Sequence, residues 1–300
     1  KENRSSTGYT DGALLKIDGN GKLLWSQCYG GSRNDELLDF EIINNRIYAS
    51  CYANSIDGDI PPSQKNYDVW VIALDQAGQK IFSKVYGGSQ NDVSYSMTAG
   101  SDNTLTLAGY TTSSDGQTSG WHGSQDGWII NIQMDGQFNW QQTLGGTEAD
   151  FINSLILDGD GGYLAGGVSY SKNGNISGAK GEGDFWVVKL SAAGSLLWSR
   201  NFGGEGNDNL HTMVRNPALN EYYLAGDADS DDGDFAIGEV QETDAAVIKL
   251  KDPLLAILDS LVCDTTNFLA ISDTLTDICG YDSLIITYRP IKPIELLTGM

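Results

Sequence analysis

An all-β fold of repeated four-stranded antiparallel units follows from three features of this sequence. It repeats with a period of about 58 residues, its strand-like runs are apolar at nearly every position, and it holds 37 glycines against 6 prolines. An aromatic content of 10% excludes a collagen-like or disordered chain. At 300 residues the chain has room for one large β domain or two ordinary ones.

The repeat is read from one apolar strand. Asp11-Gly12-Ala13-Leu14-Leu15-Lys16-Ile17-Asp18 recurs as Asp68-Val69-Trp70-Val71-Ile72-Ala73-Leu74-Asp75, as Asp126-Gly127-Trp128-Ile129-Ile130-Asn131-Ile132 and as Asp184-Phe185-Trp186-Val187-Val188-Lys189-Leu190, and a fifth copy begins at Asp244. A glycine turn and an aromatic strand follow each of the first four: Gly21 with Trp25, Gly78 with Phe82, Gly136 with Trp140, Gly194 with Trp198. A Gly-Gly pair then closes the unit, and four residues past its second glycine stands Asp35, Asp92, Asp150 or Asp208. Two further strands complete each unit, one such as Val93 to Met97 and one such as Thr104 to Tyr110, and the latter runs into a polar Asx-Gly turn (Asp57-Gly58, Asp115-Gly116, Asn173-Gly174, Asp232-Gly233).

Strands this apolar need cover on both faces, and four-stranded units stacked at a constant period supply it as the blades of a β-propeller. A β-solenoid is the alternative, but its repeats are far shorter. Residues 1–252 therefore read as a propeller segment with blades counted from the third strand near 11, 68, 126, 184 and 244, and upstream sequence is expected to complete a larger ring. From about Pro253 the texture changes. Residues 253–300 read as a linker and a partial β module, with a strand at Ser283 to Tyr288 and a disulfide expected between Cys263 and Cys279.

The units resemble the bacterial SBBP β-propeller repeats. The likeness covers about residues 9 to 252 and is carried by Gly87-Gly88-Ser89-Gln90-Asn91-Asp92, by Gly30-Gly31-Ser32-Arg33-Asn34-Asp35 and by Tyr163-Leu164-Ala165-Gly166-Gly167. Glu205 stands in place of the serine in the fourth unit, where a reshaped turn is expected. The resemblance implies a propeller in a secreted or surface setting. The strand pair from Ile17 to Trp25 is also similar to those of quinoprotein dehydrogenases, and the module after Pro253 resembles small β-sandwiches of secreted proteins from type IX-secreting bacteria.

Forty acidic residues against eighteen basic ones give a net charge of −22, which repels nucleic acid and anionic membrane surfaces. No run approaches the ~18 apolar residues of a membrane-spanning helix. Lys1-Glu2-Asn3 opens what reads as a mature or partial chain. Four cysteines without a CxxC pair and only two histidines, His122 and His211, give no zinc spacing. Cys28 and Cys51 read as independent small buried residues, with a bridge between them as the alternative.

The repeated Asp35, Asp92, Asp150 and Asp208 are expected to hold backbone N–H groups in turns, and Trp25, Trp70, Trp128, Trp140, Trp186 and Trp198 to pack blade on blade. No cofactor is implied. The run Asp227, Asp229, Asp231, Asp232 and Asp234 is the candidate calcium site, although its spacing departs from an EF-hand loop and a solvated charge run is the preferred reading. Trp121 alone among the tryptophans lies off the repeat. With His122 beside it, it is the candidate ligand-binding pair, suited to a sugar ring or a partner surface.

No nucleophile with a base, phosphate cradle or Gly-x-Ser-x-Gly motif is present. The expectation is accordingly a protein that is not an enzyme: an extracellular or cell-surface binding or scaffolding propeller in a larger modular protein, with other protein domains, other chains or glycans as partners. The alternatives are a propeller enzyme, quinoprotein-like or polysaccharide-degrading, and a structural filament or stalk component.

Overall fold

The computed structural model describes residues 9–62, 66–100, 102–236 and 243–251, and the backbone of 283–287. The first sheet has two strands, β1 (Gly12–Ile17) and β2 (Leu23–Tyr29). Four antiparallel sheets of four strands follow, each a meander in chain order: β3 (Asp35–Ile43), β4 (Arg46–Ala53), β5 (Asp68–Leu74), β6 (Lys80–Tyr86); β7 (Asp92–Ala99), β8 (Thr104–Thr111), β9 (Asp126–Gln133), β10 (Phe138–Leu144); β11 (Asp150–Leu157), β12 (Tyr163–Ser169), β13 (Asp184–Leu190), β14 (Leu196–Phe202); β15 (Asp208–Asn216), β16 (Glu221–Ala228), β17 (Asp244–Lys251), β18 (Ser283–Thr287). Ser283–Thr287 thus supplies the fourth strand of the last sheet, paired with β17 from Leu250↔Ser283 to Ala246↔Thr287. The boundary expected near 253, Cys263 and Cys279 lie outside the described residues. Among the described residues no sheet closes on itself, and no helix is long and apolar enough to cross a membrane.

Both faces of β5, β9 and β13 are buried, which is why their sequences lack polar alternation. Trp70, Ile72 and Leu74 of β5 pack with Leu14, Trp25 and Tyr29 of the first sheet, while Val69, Val71 and Ala73 share a core with Leu105, Leu107 and Ile130 of the next. Burying one such Ile or Leu contributes about 1.5–3 kcal/mol, so these three sheets depend on both neighbours for their stability.

The third and fourth strands are joined by turns such as Asp75–Gly78, where Gly78 N–H donates to Asp75 C=O at 3.0 Å. Gly78 sits at φ +78, a conformation that costs a side-chain-bearing residue energy, so the recurring glycine is a backbone requirement.

The first strand of each full sheet carries a β-bulge, at Leu37/Asp39, Ser94/Ser96, Ile152/Ser154 and Leu210/Thr212. In the first of these sheets Phe40 N–H, two residues past the bulged one, donates to Asp39 Oδ1 of its own strand (2.8 Å). In the other three the equivalent N–H donates to the preceding sheet: Met97 N–H to Asp39 Oδ2 (2.6 Å), Leu155 N–H to Ser96 Oγ (3.1 Å) and Met213 N–H to Ser154 Oγ (3.0 Å). These bonds form a ladder across the stack and set the register of one sheet on the next.

Candidate functional site

The recurring polar residues are spent on the chain itself. Asp35 is fully buried and accepts four hydrogen bonds, from Gly31 N (2.7 Å), Asn54 N (3.0 Å), Ser55 N (3.1 Å) and Ser55 Oγ (2.6 Å). Asp92 accepts from Gly88 N, Ser113 Oγ and Thr111 Oγ1, Asp150 from Gly146 N, Ser169 Oγ and Ser171 Oγ, and Asp208 from Gly204 N, Asp229 N and Ser230 Oγ. In each unit the carboxylate ties the Gly-Gly connection to the end of the second strand, leaving little capacity for a ligand.

A second aspartate opens each third strand and faces the first across a glycine. A Cβ on Gly145 would stand 2.7 Å from Asp126 Oδ1 and 2.6 Å from Asp150 Oδ2, so only glycine fits between them. The buried Oδ1 atoms of Asp126 and Asp184 accept no hydrogen bond among the described residues. Burial pushes both carboxyls above the ordinary value, and the charges of Asp150 and Asp208 respectively add to the rise.

The acidic run does not come together. Asp227 lies on β16 and pairs with His211 Nε2 and, at 3.1 Å, with Asn209 Nδ2. Asp232 accepts Glu205 N at 2.8 Å, and Asp234 accepts Gly203 N at 3.0 Å and Lys180 Nζ at 2.5 Å. Asp229 and Asp231 are exposed. Asn173 and Asn175 make the bonds of Asp232 and Asp234 one sheet earlier, to Thr147 N and Gly145 N. The positions therefore require an acceptor and not a charge. Among the described residues no three His, Cys, Asp or Glu side chains converge to hold a metal ion. The turn expected to be reshaped by Glu205 is unchanged, since Glu205 N meets Asp232 Oδ1 as Ser32 N meets Asp57 Oδ1, at 2.8 Å in both. Only the backbone N–H is used there, so the side chain can vary.

Trp70, Trp128 and Trp186 are buried between sheets, and their indole N–H groups donate to Ser83 Oγ, Gln141 Oε1 and Ser199 Oγ. Trp25, Trp140 and Trp198 are half-buried on the fourth strands and pack against the adjacent cores. Trp121 differs from all six: it is 42% exposed, in the loop before β9. His122 is anchored beside it. Its N–H donates to Asp126 Oδ2 at 2.5 Å and its Nδ1 lies 3.2 Å from the same oxygen. One carboxylate oxygen thus fixes both the backbone and the ring, and Nε2 takes no part in that anchor. Lys180 N–H makes the equivalent bond to Asp184 Oδ2 at 2.7 Å in the next sheet, so the loop frame recurs while its side chains do not.

His211 was not singled out by sequence reasoning. It is the bulged residue of β15, three positions after Asp208, as Leu38, Tyr95 and Asn153 are in the earlier sheets. A bulge re-aims its side chain, and here it brings His211 onto Asp227. The signal that could have found it is the fixed offset from the repeated aspartate. A shallow cleft of about 630 Å³ also opens beside β6 and β10, lined by Ser83, Tyr86, Gln117, Asp135 and Phe138, and it includes neither Trp121 nor His122.

No family model matches the chain, and no curated protein matches it. Among solved structures, a levansucrase mutant of B. megaterium aligns over 78% of this chain and 69% of its own, at 8% identity and a TM-score of 0.37. The tail fiber of Staphylococcus aureus phage P68 aligns over 66% of this chain and 48% of its own, at 12% identity and a TM-score of 0.22. The expectation that the chain is not an enzyme is corrected here. An enzyme, a levansucrase, stands among the structural neighbours; the likeness itself assigns no activity, and a fold by itself excludes none. What holds is the coarser description, an all-β chain of repeated four-stranded antiparallel sheets.

Proposed function

We infer that the sheets are blades of a β-propeller arc of the SBBP type, exported to the cell surface or beyond, and that the arc serves as a rigid scaffold presenting the Trp121–His122 loop to a glycan. One observation carries this reading: the exposed off-repeat tryptophan is adjacent to a histidine whose ring is pinned through Nδ1 to a buried carboxylate. An indole face takes the C–H face of a sugar ring, and a fixed imidazole Nε2 supplies a directed hydrogen bond to a hydroxyl. The two side chains sit on a loop whose frame is held by a buried aspartate, so they are preorganised and lose little entropy on binding.

The test is calorimetric titration of the intact chain with a panel of neutral oligosaccharides, repeated with Trp121→Ala and His122→Ala. Saturable binding to one sugar class that weakens at least tenfold in Trp121→Ala is the expected result. Binding that both variants leave unchanged, or none across the panel, would refute the assignment. Fractionation of the source cells tests the location: recovery in the cytoplasm alone would overturn it.

A further inference from the structure

Five aromatic side chains gather where β4 and β8 end and β5, β7 and β11 begin, on three consecutive sheets inside the described stack. Tyr52 of β4 and Tyr67, the residue before β5, stand edge to face with ring centroids 4.9 Å apart and planes at 81°. Tyr110 of β8 meets Phe151 of β11 in the same way, at 5.4 Å and 78°, and its ring lies 5.9 Å from that of Tyr95 of β7. The Tyr67 and Tyr110 phenols are near enough to interact electrostatically, which joins the two groups across the junction between sheets. All five side chains are half-buried.

The repeat does not ask for these rings. Val168 stands where Tyr52 and Tyr110 do, Gln125 and Gly183 stand where Tyr67 does, and Asn153 stands where Tyr95 does, each in a sheet of the same pairing. Their hydroxyls also differ from those of the tyrosines that hold the fold. Tyr29, Tyr48 and Tyr86 donate to the carbonyls of Gly78, Met134 and Gly136, whereas among the described residues the Tyr67, Tyr95 and Tyr110 hydroxyls hold no such bond. The charges beside the rings are carboxylates: Glu36 is hydrogen-bonded to the Tyr52 phenol, and Asp92 lies close to Tyr110. Burial keeps the phenols of Tyr52, Tyr95 and Tyr110 above the ordinary tyrosine value, so near neutral pH the rings are uncharged and their π faces intact.

We propose that this aromatic cluster binds an organic cation of the methylated-ammonium class, seated against the faces of Tyr67 and Tyr110. A ring face attracts positive charge through its quadrupole, and rings set at right angles to one another offer faces to one cation from more than one side. The nearby carboxylates and the net charge of −22 act in the same direction and draw cations toward this end of the sheets. A hard metal ion does not suit the cluster, because it needs a shell of oxygen ligands and no three acidic side chains converge among the described residues. A methylated ammonium is weakly hydrated and gives up its water to the rings at little cost. The site goes beyond the glycan reading and shares no residue with it.

Calorimetric titration of the intact chain with choline is the test, beside 3,3-dimethylbutan-1-ol, which has the same shape and no charge. Choline is expected to bind saturably and the neutral alcohol about tenfold more weakly or not at all, since only the cation gains from the ring quadrupoles. Tyr67→Ala and Tyr110→Ala should each weaken choline by about tenfold, while Tyr110→Phe, which keeps the ring, retains binding. Circular dichroism checks that each variant folds, and the comparison of choline with the alcohol on the unaltered chain decides the matter if one does not. Absence of saturable choline binding overturns the proposal. Equal affinity for the alcohol does so too, because it would reduce the site to apolar packing, as does choline binding that both folded alanine variants leave unchanged.

Discussion

Replacing Asp150 with alanine tests the claim that the repeated aspartates are the clasps of the fold. In the native chain its carboxylate accepts Gly146 N and Ser171 Oγ at 2.8 Å each, Ser169 Oγ at 2.5 Å and Ser171 N at 3.4 Å. Two of these donors have alternatives nearby: Ser171 N lies 3.2 Å from Ser169 Oγ, and that hydroxyl lies 3.4 Å from Ser171 C=O. Gly146 N–H and the Ser171 hydroxyl have no such substitute among the bonds described. Each buried donor left without an acceptor costs about 1–3 kcal/mol, so the loss is about 4 kcal/mol. For a domain of this size that is a fall in Tm of roughly 10 °C. Asp150→Asn keeps one acceptor oxygen and should lose about half as much. Thermal and urea unfolding followed by circular dichroism give the magnitude. Amide hydrogen exchange gives the place: in a stack of repeats the loosening should concentrate in β11 and β12. A loss under about 1 kcal/mol, or exchange that rises equally along the chain, would refute the clasp argument.

Three further outcomes follow from the same geometry. Burial holds the carboxyls of Asp92, Asp126, Asp184 and Asp208 above their ordinary value of 3.8. Between 3.8 and the raised values the folded chain binds more protons than the unfolded one, so stability falls as pH rises through that window. The urea midpoint should therefore increase as pH is lowered from neutrality toward 3.8, less steeply in Asp126→Asn; a midpoint that only declines over this range would contradict the argument. Asp158 and Glu221 act in the opposite sense lower down. Burial raises each, but the bonds from Lys189 and Tyr222, and from Lys249 and Tyr223, outweigh it and hold them below their ordinary values, so that stability is lost on stronger acidification. Met97→Ala should cost about 2–5 kcal/mol, whereas Phe40→Ala, at the same repeat position on β3 but exposed, should cost no more than about 0.5 kcal/mol. Equal losses in urea titrations would show that the Phe40 side chain is covered after all. Cys51 is buried and its thiol is pushed well above the ordinary value by that burial, while Cys28 is exposed. An aromatic disulfide reagent should label Cys28 in the native chain and reach Cys51 only after unfolding. Equal labelling rates would contradict the burial of Cys51.

The strand periodicity, the glycine turns and the four-strand unit were legible because each is a local requirement repeated with its spacing intact. An apolar run has to be covered on both faces, and a positive φ calls for glycine wherever it recurs. The clasp role of Asp35, Asp92, Asp150 and Asp208 could also be expected, since a residue present in every unit serves what every unit shares. The bulges escaped notice. An extra residue in a strand leaves no compositional mark, so the placing of His211 on Asp227 emerged only once β15 and β16 were paired. The partners of the acidic run were hidden for a related reason. Neighbours in sequence could be weighed only as one site or as a solvated run, and β16 and the turn after it send Asp227, Asp232 and Asp234 to different partners.

By itself the sequence determined the repeat, the strand class and the residues that build each unit, all of which depend on the chain's own neighbourhood. Only the tertiary structure decided which faces are covered among the described residues and which carboxylates meet. Those outcomes depend on what packs against a residue from a distant part of the chain, and Leu15 and Ile72 are indistinguishable until the sheet behind them is present or missing.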